Sequence, residues 1–187
     1  MNLYQEIEAY KPYNIQEEHD KKIMLKFIRE NEDYLDRTNL IAHFSASIWT
    51  LNKAHTKVLM VYHNIYDSWS WIGGHADGIE DLRLVALREL EEETGIHNAR
   101  LIREEIFSLE ILTVNGHIRK EKYVPSHLHL NITFLAEADE LEEVRMKPDE
   151  NKGVQWFSLE DALKCPKEAW MIKNVYKKLI EQSKIQS

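Results

Sequence analysis

Three glutamates, Glu89, Glu92 and Glu93, are the side chains whose type and spacing most directly imply chemistry. At about 100° per residue on an α-helix they fall within roughly 100° of one another, while Glu91 points nearly the other way. Like charges at i,i+3 and i,i+4 weaken an isolated helix by about 0.2 to 0.5 kcal/mol per pair. The negative pole of the helix dipole also opposes anions near the C-terminal end, so the cluster works against helix stability. Helix geometry alone leaves two readings open. One is a solvated acidic face; the other is a set of hard oxygen donors compensated by a bound cation. With no cysteine and no evident histidine cage beside them, such donors suit Mg2+ or Mn2+, ions that also hold phosphate groups.

The surrounding sequence must position these carboxylates. The stretch GGHADGIEDLRLVALRELEEETGI, residues 73–96, reads as one helix between two glycine-marked turns. Asp81 to Thr94 contains neither Gly nor Pro and stops at Gly95, the residue type best suited to a left-handed C-terminal position. Ala86, Leu90, Leu87 and Leu84 form its expected apolar arc. Upstream, HFSASIWTL and KVLMVYH are expected to be two strands joined by a turn across Asn52 to His55. Downstream, Asn115-Gly116 between EIFSLEILTV and HIRKEKYV predicts a tight hairpin, because both turn residues tolerate positive φ. His127 to Leu135 alternates, with Leu128, Leu130, Ile132 and Phe134 on a core face and His127, His129, Asn131 and Thr133 on a polar one. Ser158 is expected to cap a short helix that Pro166 ends, and a last helix is expected from Lys167 to Ile180. Residues 1–40 are polar, glycine-free and helix-like, with Ile23, Phe27, Tyr34 and Leu35 recurring near helical spacing. They are expected to form an N-terminal helical extension to a domain over residues 41–187.

The chain has 187 residues, one domain's worth, and its 43% hydrophobic and 30% charged content is ordinary for a globular protein. Lys and Arg number 24 against 32 Asp and Glu, a net charge of −8. That sign disfavours a broad surface for nucleic acid polymers or anionic membranes. A small anionic substrate remains compatible if a metal or a few local cations oppose the acidic background. Cys165 is the only cysteine, which excludes an intramolecular disulfide and a thiolate metal cage. There is no basic start followed by an apolar stretch and no run of about 18 apolar residues. The expectation is a soluble, cytoplasmic protein.

Gly74, Glu80 and the run Arg88-Glu89-Leu90-Glu91-Glu92-Glu93-Thr94-Gly95-Ile96 resemble the Nudix box, G-x5-E-x7-R-E-U-x-E-E-x-G-U with U a bulky aliphatic. Every specified position matches. The resemblance implies an α/β fold, an α/β/α sandwich with a mixed β-sheet, in which the loop-helix-loop holds a divalent metal, Mg2+ or Mn2+, against a diphosphate. It further implies hydrolysis of a nucleoside diphosphate linked to another moiety. By carry-over, Glu89, Glu92 and Glu93 are the metal ligands, with the Gly74 carbonyl an additional one. Arg88 orients the glutamates, Glu80 braces the loop and Gly95 closes the helix. A metal so held neutralises phosphate charge and lowers the pKa of an attacking water. In some members a further glutamate lies six residues before a tryptophan that precedes a helix. Glu150 stands so before Trp156 and is the expected base, with Glu142 and Glu143 as neighbours and a plain surface acid as the alternative.

On the substrate side, Trp69 and Trp71 share a strand face, so that Trp71 either stacks on a base or belongs to the core. His127 and His129 either meet phosphate or metal or lie on an exposed strand face. Arg119, with Lys120 and Lys122, either pairs with phosphate oxygens or protects an edge strand. His75 and Asp77 are expected to serve the box turn. No proline or tyrosine stands at the spacings past the box that mark ADP-ribose or diadenosine-polyphosphate subgroups, so neither reading is supported. Cys165 is misplaced for the isopentenyl diphosphate isomerase branch. Two other classes compete with a hydrolase of nucleotides: a nucleotide-sensing module that has lost catalysis, and a hydrolase of a non-nucleotide diphosphate. The extension could also act as a lid or build a homodimer.

Overall fold

The computed structural model describes residues 1–119 and 121–185; the side chains of Arg119 and Ile185 and all of Lys120 lie outside this description. Two helices, α1 (Leu3–Ala9) and α2 (Ile15–Glu30), lead into a mixed sheet. Strands β1 (Ala42–Asn52), β2 (Lys57–His63), β3 (Ser68–Ser70) and β4 (Ile72–His75) precede helix α3 (Leu82–Thr94). Next come β5 (Arg100–Leu101), β6 (Ser108–Val114), β7 (His117–Arg119), β8 (Lys122–Val124), β9 (His127–Ala138) and β10 (Asn151–Ser158). A 3-10 turn at Asp161–Leu163 is followed by α4 (Ala169–Met171), a π-helical segment at Ile172–Tyr176 and α5 (Lys177–Ile185).

The sheet is built around two long central strands. β1 and β9 run parallel, with Ala42 beside Leu128 and Asn52 beside Ala138. The other edge of β1 is shared by β2 and β4, both antiparallel, while β9 pairs with β5 and β6. One face carries Phe44, Ala46, Ile48, Leu130, Ile132 and Phe134 against Val85, Ala86 and Leu90 of α3 and Leu3, Ile7 and Met24 of the N-terminal helices. The opposite face carries Trp49, Leu51 and Leu135 against Val175, Tyr176 and Leu179 near the C-terminus. The protein is thus an α/β/α sandwich with a mixed sheet.

Several sequence expectations are met. The β1–β2 turn is closed by the Asn52 side chain, whose Oδ1 accepts from the Thr56 and Lys57 amides at 2.8 and 3.0 Å. Helix α3 starts behind Asp81, whose carboxylate accepts from the Arg83 amide, and ends at Gly95 with φ 77°. The Ser158 hydroxyl accepts from the Asp161 amide at 3.1 Å, although the element that follows is only a 3-10 turn, Asp161–Leu163, whose N-cap position is Glu160.

Five expectations need correction. Asn115-Gly116 does not turn a hairpin between consecutive strands, because β6 pairs with β9 and β7 pairs with β8. β6 and β9 form one long hairpin whose tip is the β7–β8 ribbon, and long-range pairing overrides the local turn signal. β9 has no solvent face: Asn131 and Thr133 are buried like Leu130 and Ile132, because the strand is central and covered on both sides. In α3 the buried arc runs through Leu82, Val85, Ala86, Leu90 and Glu93, while Leu84 is 60% exposed; the helix is rotated so that a carboxylate faces inward. In α2 Met24 is buried and Ile23 exposed. The C-terminal helical region also extends past Ile180, to Ile185.

The N-terminal helices also cover a sheet edge. The Ile111 amide on β6 donates to the Asp20 carboxylate at 3.2 Å, which answers a donor that an open edge would leave for another chain. Past α2, the segment reaches the box loop. The Gly78 amide donates to the Leu35 carbonyl at 3.1 Å, and Arg37 pairs with Asp77. Asp77 and Gly78 turn that loop with φ 48° and 83°.

Among the described residues no helix is long and apolar enough to cross a membrane.

Candidate active site

The β4–α3 unit carries the carboxylates. Glu89 and Glu93 lie one turn apart on α3 facing the Gly73–Gly74 backbone, and Glu150 reaches them from the loop before β10. Carboxylate oxygens of Glu89, Glu93 and Glu150 lie within 4.8 Å of one another. A Cβ on Gly74 would meet the Glu89 carboxyl at 2.4 Å. Only a residue without a side chain leaves that carboxylate in place.

Polar partners fix the other members. Arg88 donates to Glu89 at 2.9 Å and stands 3.8 Å from Glu92. The Gly73 amide donates to Glu93 at 3.3 Å. Glu92 is exposed and turned towards Lys147, 2.9 Å away, whose ammonium also lies 3.2 Å from Glu150. Glu80 sits on the loop with Tyr34 at 3.5 Å. Glu142 lies outside the cluster, accepting from the His97 amide.

The electrostatics are those of a site short of positive charge. Burial pushes the Glu93 carboxyl up to about 8, the Glu89 and Glu150 charges add to the rise, and the Gly73 amide opposes it. Burial also raises Glu89, against the opposing pull of Arg88. Lys147 instead holds Glu92 below its ordinary value. The two inward glutamates of the helix therefore share a desolvated space that favours either the protonated acid or a neighbouring cation.

Sequence reading missed two residues here. Asn151 is buried at the start of β10 and donates to the Glu93 carbonyl at 2.9 Å, tying the Glu150 loop to the end of α3. Lys147 bridges Glu92 and Glu150. Both sit in a stretch, MKPDENKG, with no periodicity to mark them.

The remaining candidates lie elsewhere. Trp71 is packed in the second core cluster, edge-on to Tyr176 at 5.9 Å between ring centroids, while Trp69 stacks edge-on against Phe157 and Tyr62. Arg119 pairs through its backbone in β7; its side chain, and Lys120, fall outside the described residues. His127 and His129 do not face solvent. They meet His43 of β1 and His75 of β4 in a cluster of four imidazoles. His43 went unnoticed because it opens an otherwise apolar strand, although His43, Ser45 and Ser47 alternate as a polar stripe.

Comparison with known proteins agrees with this fold. The NUDIX domain model matches residues 42–179. The chain belongs to the Nudix family. No curated protein gives a match. Among solved structures, an Ap4A hydrolase from C. elegans in a binary complex is 24% identical with a TM-score of 0.54, over 76% of this chain and 95% of that one. A NUDIX-family hydrolase from Clostridium perfringens is 22% identical with a TM-score of 0.54, over 78% and 98%. The E. coli dihydroneopterin triphosphate pyrophosphohydrolase is 15% identical with a TM-score of 0.56, over 74% and 94%. At these identities the likeness is one of fold.

Proposed function

We propose that the protein is a divalent-metal-dependent hydrolase that cleaves the diphosphate linkage of a nucleoside diphosphate joined to another group. The observation that carries this reading is the convergence of Glu89, Glu93 and Glu150 within 4.8 Å beside the bare backbone of Gly74. The donor set fits Mg2+ or Mn2+: carboxylates only, no sulfur, and few protein cations to balance them. When bound, such an ion supplies charge neutralisation for the diphosphate and a more acidic water.

The chain's own residues then have distinct tasks. Glu89 and Glu93 would hold the ion, with Glu92 and the Gly74 carbonyl as further ligands. Arg88 keeps Glu89 and Glu92 oriented. Glu150 accepts the proton of the attacking water as the new oxygen–phosphorus bond forms and the bridging phosphorus–oxygen bond breaks, leaving two phosphate esters. Residues 1–40 serve as an extension bracing the box loop of the 41–187 domain through Leu35, Arg37 and Tyr34. The protein works in the cytoplasm.

The test is incubation with Mg2+ and a panel of nucleoside triphosphates, nucleotide sugars, ADP-ribose, dinucleoside polyphosphates and non-nucleotide diphosphates, with products resolved by mass and Glu93→Gln run in parallel. Turnover lost in the variant supports the reading, and the products name the substrate and the cleaved bond. Absence of turnover across the panel, with tight metal-dependent binding of one compound, would replace it with a sensor.

A further inference from the structure

The cluster of His43, His75, His127 and His129 is separate from the carboxylates in chemistry and composition. Three neighbouring strands supply it. β1 places His43 beside His129 of β9 in the parallel register, and β4 places His75 beside Ser45 in the antiparallel one. His127 and His129 share a face because strand side chains alternate. Ring centroids of neighbouring pairs lie 4.8 to 5.2 Å apart, and one ring nitrogen from each residue falls within 4.8 Å of the other three.

Second partners fix two of these rings. His43 Nδ1 lies 3.0 Å from the Asn39 carbonyl and His127 Nδ1 lies 2.9 Å from the Pro125 carbonyl. A carbonyl only accepts, so each Nδ1 carries the hydrogen and, in the neutral ring, each Nε2 keeps its lone pair. This is how metal-bound histidines are oriented, with one nitrogen donating to a backbone carbonyl and the other free for the ion. His43 is only 3% exposed, and its Nε2 has no hydrogen-bond partner among the described residues. A buried acceptor left so costs free energy unless something fills the site. The Nε2 atoms of His127 and His129 lie 3.1 Å apart. That is close to the edge of a tetrahedron with metal–nitrogen bonds of about 2.0 to 2.1 Å, roughly 3.4 Å. Closing the wider separations to that edge needs ring movements of about an ångström.

From this geometry we infer that His43, His75, His127 and His129 form a second metal site, selective for a borderline divalent transition ion such as Zn2+. Four imidazole nitrogens, in the neutral rings, favour such an ion over Mg2+. The ion ties β4, β1 and β9 together one residue beyond Gly74, so it holds the upstream end of the box loop in place. This site stands independently of the hydrolase reading.

The test is calorimetric titration of the metal-stripped full-length protein with Zn2+ in excess Mg2+, with Co2+ absorption spectra alongside. Wild type, Glu89→Gln/Glu93→Gln, His43→Gln and His127→Gln are compared, with circular dichroism to check folding. We expect one equivalent of Zn2+ to bind, an affinity within a few-fold of wild type in the glutamate variant, and a loss of about 100-fold or more in each histidine variant. Co2+ is expected to give the intense visible bands of tetrahedral nitrogen ligation. Failure of Zn2+ to bind in excess Mg2+ would overturn the inference. So would binding that disappears with the glutamates and survives the histidine changes. If the histidine variants do not fold, the glutamate variant and the Co2+ spectrum decide: a weak octahedral spectrum rejects the site, and a tetrahedral one retained without the glutamates supports it.

Discussion

Gly74 and Glu93 are the two residues at which single atoms decide the chemistry. Gly74→Ala places a Cβ where the Glu89 carboxyl lies, 2.4 Å away, so the carboxylate must swing out of the cluster. The expected result is a fold unchanged by circular dichroism with Mg2+ affinity lowered about 10- to 100-fold, measured by titration. Glu93→Gln keeps the shape and removes an anion from the site. Mg2+ should raise the melting temperature of the wild type, because an ion bound by the native state alone stabilises it. In Glu93→Gln that rise should vanish, and kcat/KM on whichever panel compound is cleaved should fall by about 100-fold or more, some 2.7 kcal/mol of transition-state stabilisation. A variant that keeps both the metal-dependent melting shift and the activity would remove Glu93 from the site.

At the scale of elements, α1 and α2 pack against the sheet and helix that support the box. Leu3, Ile7 and Met24 are buried in the main core cluster, Arg83 of α3 pairs with Glu6 of α1 at 2.8 Å, and Asp20 closes the β6 edge. Deleting residues 1–36 should therefore uncover apolar surface and an unpaired edge, and give a chain that associates or precipitates, as read by light scattering. A truncated protein that stays monomeric with an unchanged melting temperature would assign the helices a role outside folding.

Across the whole molecule, a buried polar network joins elements distant in sequence. Lys178 of α5 lies 2.7 Å from Glu17 of α2 and 2.8 Å from Glu110 of β6. The Tyr10 hydroxyl donates to Glu17 at 2.7 Å, and Glu110 accepts from Asn131, which in turn accepts from Ser45 and Ser47. Lys178→Met leaves two buried carboxylates without their cation and should cost about 3 to 5 kcal/mol in urea unfolding. Adding Glu17→Gln and Glu110→Gln should recover part of that loss. Alkaline pH probes the same region. Burial, with the Glu17 charge, raises Tyr10 far above its ordinary value, and burial raises Tyr176 as well. Unfolded tyrosines release their protons near pH 10, while the native ones keep them. Stability is thus fully present below about pH 10 and falls above it, because the native state binds more protons. Lys178, raised by Glu110 and Glu17 against its burial, acts in the same direction. The melting temperature should drop between about pH 10 and 11, less steeply in Tyr10→Phe, and a flat profile would contradict this.

The sequence by itself determined the box, its helix and the Asp81 and Gly95 boundaries, because these depend on spacing within one short segment and on turn residues with few alternatives. It also marked Glu150 through its distance from Trp156. Only the tertiary structure decided which face of α3 turned inward, that β6 pairs with β9 past the Asn115-Gly116 signal, and that the polar side of β9 is buried. Those outcomes depend on partners more than a dozen residues away. The four histidines show the same limit. His127 and His129 were visible as a pair, but His43 and His75 belong to two other strands, and only the register of β1 between β4 and β9 brings all four rings to one point.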